Sequence, residues 1–305
     1  MNDSTFHKEN ARLGFVGLGL MGSRFLRRLN SEGWKIRGWN RSRSATTLAL
    51  RNDGLEIDET IASLAGQSEV LLSSLADDNA VRAVYLGDDG IFAHLQPGTT
   101  ILEMSTISPE LSALLHQEAT QRDAKMIDLA VSGSTPAVEA GAVTLFGGGE
   151  PATFNRCVPI FQSIARQWYL MGPATAGIRM KLVVNLLLGV NMEAIAEAVS
   201  LGERLSLDRD VLLDVLPKTA VIAPAFSGKF PKIKGGDYSP QFPLHLMSKD
   251  MNLVQDAAIR LGAALPAASA TRRVFEDAAA ERGELDLSAI TPYVLELAVP
   301  GVDHH

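Results

Sequence analysis

The chain has 305 residues, 46% of them hydrophobic, with a formal net charge of −7 and a pI near 5.4. That length suits about two domains with real cores and excludes a disordered or fibrous chain. An acidic balance offers no broad basic field, so nucleic acid is not expected as a partner. The single cysteine, Cys157, permits neither an intrachain disulfide nor a thiolate metal site, and reads as a small apolar residue in a protein of the reducing cytoplasm.

Residues 1–11 are polar and of mixed charge, without the basic start and apolar middle of a signal peptide, and are expected to form a flexible tail. A β-rich run at 13–17 then hands over to a helix whose apolar face is Phe25, Leu26 and Leu29. Between them lies Gly17-Leu18-Gly19-Leu20-Met21-Gly22. The first glycine permits a tight turn, the second lets backbone approach phosphate oxygens, and the third lets helix pack closely on strand. Gly17, Gly19, Leu20, Met21 and Gly22 are therefore candidates to cradle a dinucleotide pyrophosphate.

Further β-rich runs fall at 35–39, 69–74, 99–104, 125–129, 143–147 and 167–170, alternating with helical segments. Such alternation implies a mostly parallel sheet covered on both faces. Pro109 after Ser108 and Pro151 after Glu150 mark helix starts. The pattern changes after Pro173. Residues 174–205 carry one proline-free helical pattern, which at 1.5 Å per residue runs about 45 Å and suits a connecting helix. Its apolar stretch at 182–192 is interrupted by Asn185, Gly189 and Asn191 and is too short to span a bilayer, so a buried helix is expected and no membrane partner. Helices follow at 208–216, 243–261, 267–281 and 287–296, with a Pro/Gly/Lys/Phe-rich loop at 223–241. The expected architecture is an α/β Rossmann-type domain at 12–173, an interdomain helix at 174–205 and an all-α domain at 206–305. His94, His116 and His245 have no acidic or histidine neighbours at ligand spacing, and the terminal His304 and His305 alone make no site, so no metal is expected.

The second strand ends at Trp39, followed by Asn40-Arg41-Ser42. An Asp or Glu here would bind adenosine ribose hydroxyls and repel a 2′-phosphate. Asn40 is neutral, Arg41 offers a planar fork suited to phosphate and Ser42 a hydroxyl donor, which points to NADP(H). The alternative for Arg41 is a solvated arginine just past a strand.

Four further polar segments complete the set: Glu103-Met-Ser105-Thr106, Val131-Ser132-Gly133-Ser134, Lys181 with Asn185, and Lys249-Asp250. Lys181 and Asn185 are four residues apart, so a helix presents both on one face, expected near the cleft between the domains. A lysine there can stabilise a carbonyl oxygen that gains negative charge as hydride arrives, and then protonate it. Partial burial would ease the transfer by lowering its pKa.

In order and spacing, Gly-Phe-Val-Gly-Leu-Gly-Leu-Met-Gly (14–22), Asp-Leu-Ala-Val-Ser-Gly-Ser (128–134), Gly177-Ile-Arg-Met-Lys181-Leu-Val-Val-Asn185 and Phe242-Pro-Leu-His-Leu-Met-Ser-Lys249-Asp250-Met resemble the β-hydroxyacid dehydrogenase family. The likeness runs from about Arg12 to Val294. Within the family the chain looks most like the glyoxylate and succinic semialdehyde reductases, on Trp39-Asn-Arg-Ser42, Val-Ser-Gly-Ser with Pro136-Ala137, and Phe-Pro-Leu before Lys-Asp.

The resemblance implies NADPH-dependent reduction of a small carboxylate-bearing aldehyde, with Lys181 as general acid and Asn185 supplying supporting hydrogen bonds. It gives Ser132 and Gly133 the substrate carboxylate, and makes Thr106 a contact to both cofactor and substrate. From the residues alone, Thr106 reads equally as a helix cap beside Ser108. Leu75 and Ala76 are carried over as cofactor contacts, Lys249 as a cofactor or substrate contact, and Phe242 and Asp250 as substrate residues closing the pocket; an exposed charge pair is the plainer reading of Lys249-Asp250. A homodimer or homotetramer is also implied.

The chain departs from close relatives at Thr135-Pro136, where Lys-Lys is frequent, and at Val221-Ile222, which replaces a more polar or smaller loop. Both changes favour a less polar or bulkier substrate. Rival readings are an NAD-dependent 3-hydroxyisobutyrate or tartronate semialdehyde enzyme, an imine reductase, and a non-catalytic NADPH-binding protein.

Overall fold

A computed structural model describes residues 5–297. It divides into two compact units, the first running to Leu182 and the second beginning at Val183.

The first unit is built on an eight-stranded sheet of β1 (Arg12–Val16), β2 (Lys35–Trp39), β3 (Glu56–Ile57), β4 (Val70–Ser73), β5 (Thr100–Glu103), β6 (Lys125–Ser132), β7 (Val143–Gly149) and β8 (Ala165–Gly172). Their order is β3-β2-β1-β4-β5-β6-β7-β8. All neighbours pair in parallel except β6 and β7, which run antiparallel from Ile127 opposite Gly149 to Ser132 opposite Thr144. Alternate side chains divide between the two faces, as the two-residue period of a strand requires. Leu13, Phe15, Val70, Leu72, Leu102, Ile127 and Leu129 share one core, while Val16, Leu71, Ile101 and Met126 belong to the other.

Helices α1 (Gly22–Ser31), α2 (Ala45–Asn52), α3 (Ile61–Gln67), α4 (Asp78–Leu86), α5 (Ile91–His94), α6 (Pro109–Gln121), α7 (Thr135–Glu139), α8 (Pro151–Arg156) and α9 (Val158–Ile164) cover these faces. α6 starts as its sequence predicts: Pro109 is at the first turn and the Ser108 hydroxyl accepts from Leu111 N at 3.2 Å, so the cap is Ser108 and not Thr106. Because β1 has β2 on one side and β4 on the other, the strand order turns outward at its carboxyl end. In open α/β sheets that end is where ligands bind.

The long helix is α10 (Ala176–Arg204), two residues later in starting and one earlier in stopping than the sequence suggests. The second unit continues with α11 (Arg209–Val215), α12 (Lys229–Gly235), α13 (Leu244–Leu261), α14 (Pro266–Arg282) and α15 (Ile290–Glu296). Its core joins Met192, Ala196 and Val199 of α10 to Phe230, Met247, Met251, Phe275 and Ile290. By length and hydropathy alone α10 could cross a membrane; one of its faces is instead built into this core.

The expected loop at 223–241 is partly helical: Pro224–Phe226 forms a 3-10 turn and Lys229–Gly235 is α12. Its lysines disguise the burial. Lys229 meets Asp286 at 2.8 Å, and Lys232 donates to the carbonyls of Asp237 and Ser239 at 3.1 and 2.9 Å, so both ammonium groups enter the core with partners.

Candidate active site

At the carboxyl end of β1 the chain turns through Gly17, whose φ of +88° is one that side chains resist. A Cβ at Gly17 would strike the Ser74 carbonyl, and one at Gly22 would run into the Gly17 carbonyl. Around Gly19 there is open space, with no atom within 4 Å of where its Cβ would lie. Met21 caps α1 without any side-chain hydrogen bond, while Ser23 N and Arg24 N turn back to the Gly19 and Met21 carbonyls at 3.1 and 3.0 Å, so the positive end of α1 opens beside the glycine turn with no side chain across it. Leu20 and Met21 border the same opening, exposed and half-buried respectively. Turn, open approach and uncapped helix together fit a dinucleotide pyrophosphate.

Asn40 ties this loop to the next. Its Oδ1 accepts from Leu18 N at 2.9 Å while its Nδ2 donates to Ser42 O at 2.9 Å and lies 3.2 Å from Ser42 Oγ. Asn40, Ser42, Gly19, Leu20 and Arg24 line one open hollow. Nearby arginines are engaged: Arg43 and Arg51 with Glu59, Arg37 with Asp58, Arg27 with Asp53. Arg41 is exposed and makes no hydrogen bond or ion pair with any described residue.

Leu75 and Ala76 follow β4, and Thr106 follows β5. These loops are joined beneath the surface, where Leu75 N donates to Ser105 Oγ at 2.8 Å and Ser105 N donates to Glu103 Oε1 at 2.9 Å. Ser73 Oγ sits 2.6 Å from Tyr85 Oη and 3.4 Å from Glu103. Burial pushes the Glu103 carboxyl up to about 8, against the opposing pull of its Ser105 hydrogen bonds. The sequence marks Glu103 and Ser105 within one polar segment, but their ties to Leu75, Ser73 and Tyr85 emerge only from the fold.

Ser132 is the last residue of β6, which extends three residues beyond the expected strand, and Gly133 follows at φ +151°. A Cβ on Gly133 would press on Val143, so the backbone there stays bare. Lys181 is half-buried in the second turn of α10, and Asn185 lies one turn on along the same helix. Asp128 and His116, unpaired in the sequence reading, meet at 2.8 Å. His94 likewise lies 2.6 Å from Asp89. No group of three or more metal-ligating side chains occurs among the described residues.

In the second unit Asn185 is fully buried and its Nδ2 donates to Asp250 Oδ2 at 2.5 Å, while Lys249 Nζ lies 2.8 Å from Asp250 Oδ1. The approach of α10 to α13 depends on Gly189, where a Cβ would meet Met251 and Met247. Asn185 Oδ1 is buried and accepts no hydrogen bond from the described residues. Lys249-Asp250 is thus no exposed charge pair: Asp250 is 2% exposed. Phe242 is half-buried, and its N–H donates to Asp286 Oδ2 at 3.2 Å. Burial works against the Asp286 charge, but the Lys229 ammonium, the Gln241 N–H and the Ser288 hydroxyl outweigh it and hold the carboxyl below its ordinary range.

Residues 12–172 match the NAD binding domain of 6-phosphogluconate dehydrogenase, and residues 175–294 match the NAD-binding region of NADP-dependent 3-hydroxyisobutyrate dehydrogenase. The chain belongs to the β-hydroxyacid dehydrogenase family. Glyoxylate/succinic semialdehyde reductase 1 of Arabidopsis thaliana is 30% identical over 279 residues, spanning 91% of this chain and 96% of that protein. The NAD-dependent L-serine dehydrogenase of Pseudomonas aeruginosa is 31% identical over 265 residues, 85% of this chain and 89% of that one. A crystal structure of 3-hydroxyisobutyrate dehydrogenase from Salmonella typhimurium has a TM-score of 0.86 at 28% identity, covering 93% of this chain and 100% of that one. As a β-hydroxyacid dehydrogenase the protein is an oxidoreductase working between CH–OH and C=O with a nicotinamide cofactor.

Proposed function

We propose that the protein uses NADPH to reduce a small carboxylate-bearing aldehyde, of the glyoxylate or succinic semialdehyde kind, to the hydroxyacid. The observation that carries this reading is the pair of Lys181 and Asn185 on one face of an unbroken α10, with Asn185 fixed by Asp250. A bound reduced nicotinamide supplies the hydride. Lys181 Nζ stabilises the charge that develops on the carbonyl oxygen and then gives that oxygen a proton, so the aldehyde gains one hydride and one proton and leaves as the alcohol. Asn185 supplies supporting hydrogen bonds, as the family resemblance assigns it. Ser132 and the bare backbone of Gly133 hold the substrate carboxylate, and Thr106, Phe242, Lys249 and Asp250 serve substrate or cofactor as the family resemblance assigns them.

NADPH is favoured by Arg41, exposed and unpaired beside Ser42. The NAD-dependent relative makes the cofactor a point to measure. Initial rates with NADPH and NADH over short aldehyde acids, their β-branched analogues and cyclic imines test the reading. It predicts higher kcat/KM with NADPH on aldehyde acids, a preference that Arg41→Ala erodes. Faster turnover of cyclic imines, or a cofactor ratio unmoved by Arg41→Ala, overturns it.

Homo-oligomerisation belongs to the same proposal. Leu187, Leu201, Val211 and Val215 of α10 and α11 are each more than half exposed, an apolar surface suited to a second copy. Light scattering coupled to size exclusion gives the mass directly, and a monomer at micromolar concentration refutes this part.

A further inference from the structure

β6 carries a carboxylate that the proposed chemistry does not use. Asp128 is 2% exposed, and its oxygens are shared by three donors from two other elements. Thr175 N donates to Oδ1 at 2.8 Å and Ile178 N to Oδ2 at 2.9 Å, while His116 Nε2 of α6 lies 2.8 Å from Oδ1. The two backbone donors are the start of α10, so the orphan N–H groups and positive end of that helix are met by a carboxylate about fifty residues earlier in the chain.

The surroundings are shaped to the same contact. Thr175 sits at φ +74°, a left-handed conformation that a β-branched residue adopts only when its neighbours hold it there, and its buried hydroxyl has no partner among the described residues. A Cβ on Gly148 or on Gly177 would run into the Asp128 carboxylate, and one on Gly177 would also strike the Phe146 carbonyl. Two glycines thus keep room for one buried carboxylate, and one strained threonine is anchored to it. Lys181 stands three residues beyond Ile178, about 4.5 Å along the helix axis.

We propose that Asp128 is a positioning residue: by fixing where α10 begins, it fixes where the Lys181 ammonium stands. The inference rests on Lys181 being the proton donor. Asp128 does not touch the reacting atoms. Its effect passes through the first turn of α10, and misplacement of a catalytic group by about 1 Å is enough to cost on the order of a hundredfold in rate.

The test is Asp128→Asn, which preserves size but puts an NH2 where one of the donors now finds an oxygen. Steady-state rates, NADPH dissociation constants from fluorescence quenching, and amide hydrogen exchange over residues 175–182 are measured on the full chain. The expected result is a fall in kcat of about 10- to 100-fold, an NADPH Kd within about threefold of the parent, and faster exchange at the start of α10. Adding Thr175→Gly, which makes the left-handed conformation easy for the backbone, should recover part of the lost kcat. Should Asp128→Asn fail to fold, His116→Leu removes the third donor more gently and should show the same split between kcat and Kd at about threefold.

A folded Asp128→Asn enzyme with kcat within twofold of the parent overturns the inference, as does a loss of NADPH affinity in proportion to kcat. An unchanged kcat in His116→Leu, where Asp128→Asn does not fold, overturns it equally. Lys181→Ala is assayed alongside: if it keeps turnover, the proton-donor reading has failed. If it is dead while Asp128→Asn is unimpaired, only the positioning role has.

Discussion

The buried Glu103 makes the stability of the first unit depend on pH in a way that one substitution should remove. Its carboxyl is pushed from an ordinary 4.5 up to about 8, first by burial and only partly relieved by Ser105. Below pH 4.5 both folded and unfolded chains hold the proton and no pH-linked difference arises. Between 4.5 and about 8 the unfolded chain ionises while the folded one keeps its proton, so stability falls with rising pH by about 1.4 kcal/mol per unit. By pH 7 the accumulated penalty is on the order of 3 kcal/mol, and above pH 8 the slope from this group vanishes.

Glu103→Gln keeps the Oε1 acceptor shared by Ser105 N and Ser73 Oγ and cannot ionise. Thermal unfolding of parent and variant from pH 4.5 to 9 is the assay. At pH 4.5 the two should unfold together, and at pH 7 to 8 the variant should be higher by several degrees, about 10 °C if the full penalty is relieved. A constant gap at every pH, or none, refutes the argument that Glu103 is buried with its proton.

Gly22→Ala places a methyl against the Gly17 carbonyl and should cost about 1–3 kcal/mol in denaturant unfolding as well as NADPH affinity, whereas Gly19→Ala enters open space and should weaken NADPH binding with an unchanged melting temperature. Equal effects of the two on stability would contradict the geometry. Burial pushes the Cys157 thiol up to about 12, so at pH 8 only about one molecule in ten thousand carries the thiolate and alkylation by iodoacetamide should await unfolding; rapid labelling of the native protein would show the site to be open. Lys229→Met strands the buried Asp286 charge and should destabilise the second unit by about 3–5 kcal/mol, read as a lower denaturation midpoint.

Much of this architecture was legible because its signals are local. The glycine run, the strand and helix alternation and the proline starts at 109 and 151 each depend on a few neighbouring residues, and each stands where the sequence puts it. The antiparallel turn of β7 was not legible, since a strand's sequence does not encode its direction relative to neighbours. The two-residue β3 is too short to leave a periodicity. α12 was hidden because Lys229 and Lys232 mimic a solvated loop, the first buried through Asp286 far along the chain and the second through the Asp237 and Ser239 carbonyls beyond the helix end. Separation along the chain also conceals the Asp128 contacts, 12 residues to His116, 47 to Thr175 and 50 to Ile178. Of the candidate site, single residues and their spacing could be read directly; the partners that fix them, Asp250 for Asn185 and Ser105 for Leu75, required the fold.

The whole functional account turns on the side chain of Lys181, and the most direct measurement compares turnover with cofactor affinity in Lys181→Ala. With the aldehyde acid that the rate survey selects, kcat should fall by about 10²–10⁴-fold while the NADPH Kd stays within about twofold of the parent. A variant that retains most of its kcat would show that the proton comes from elsewhere.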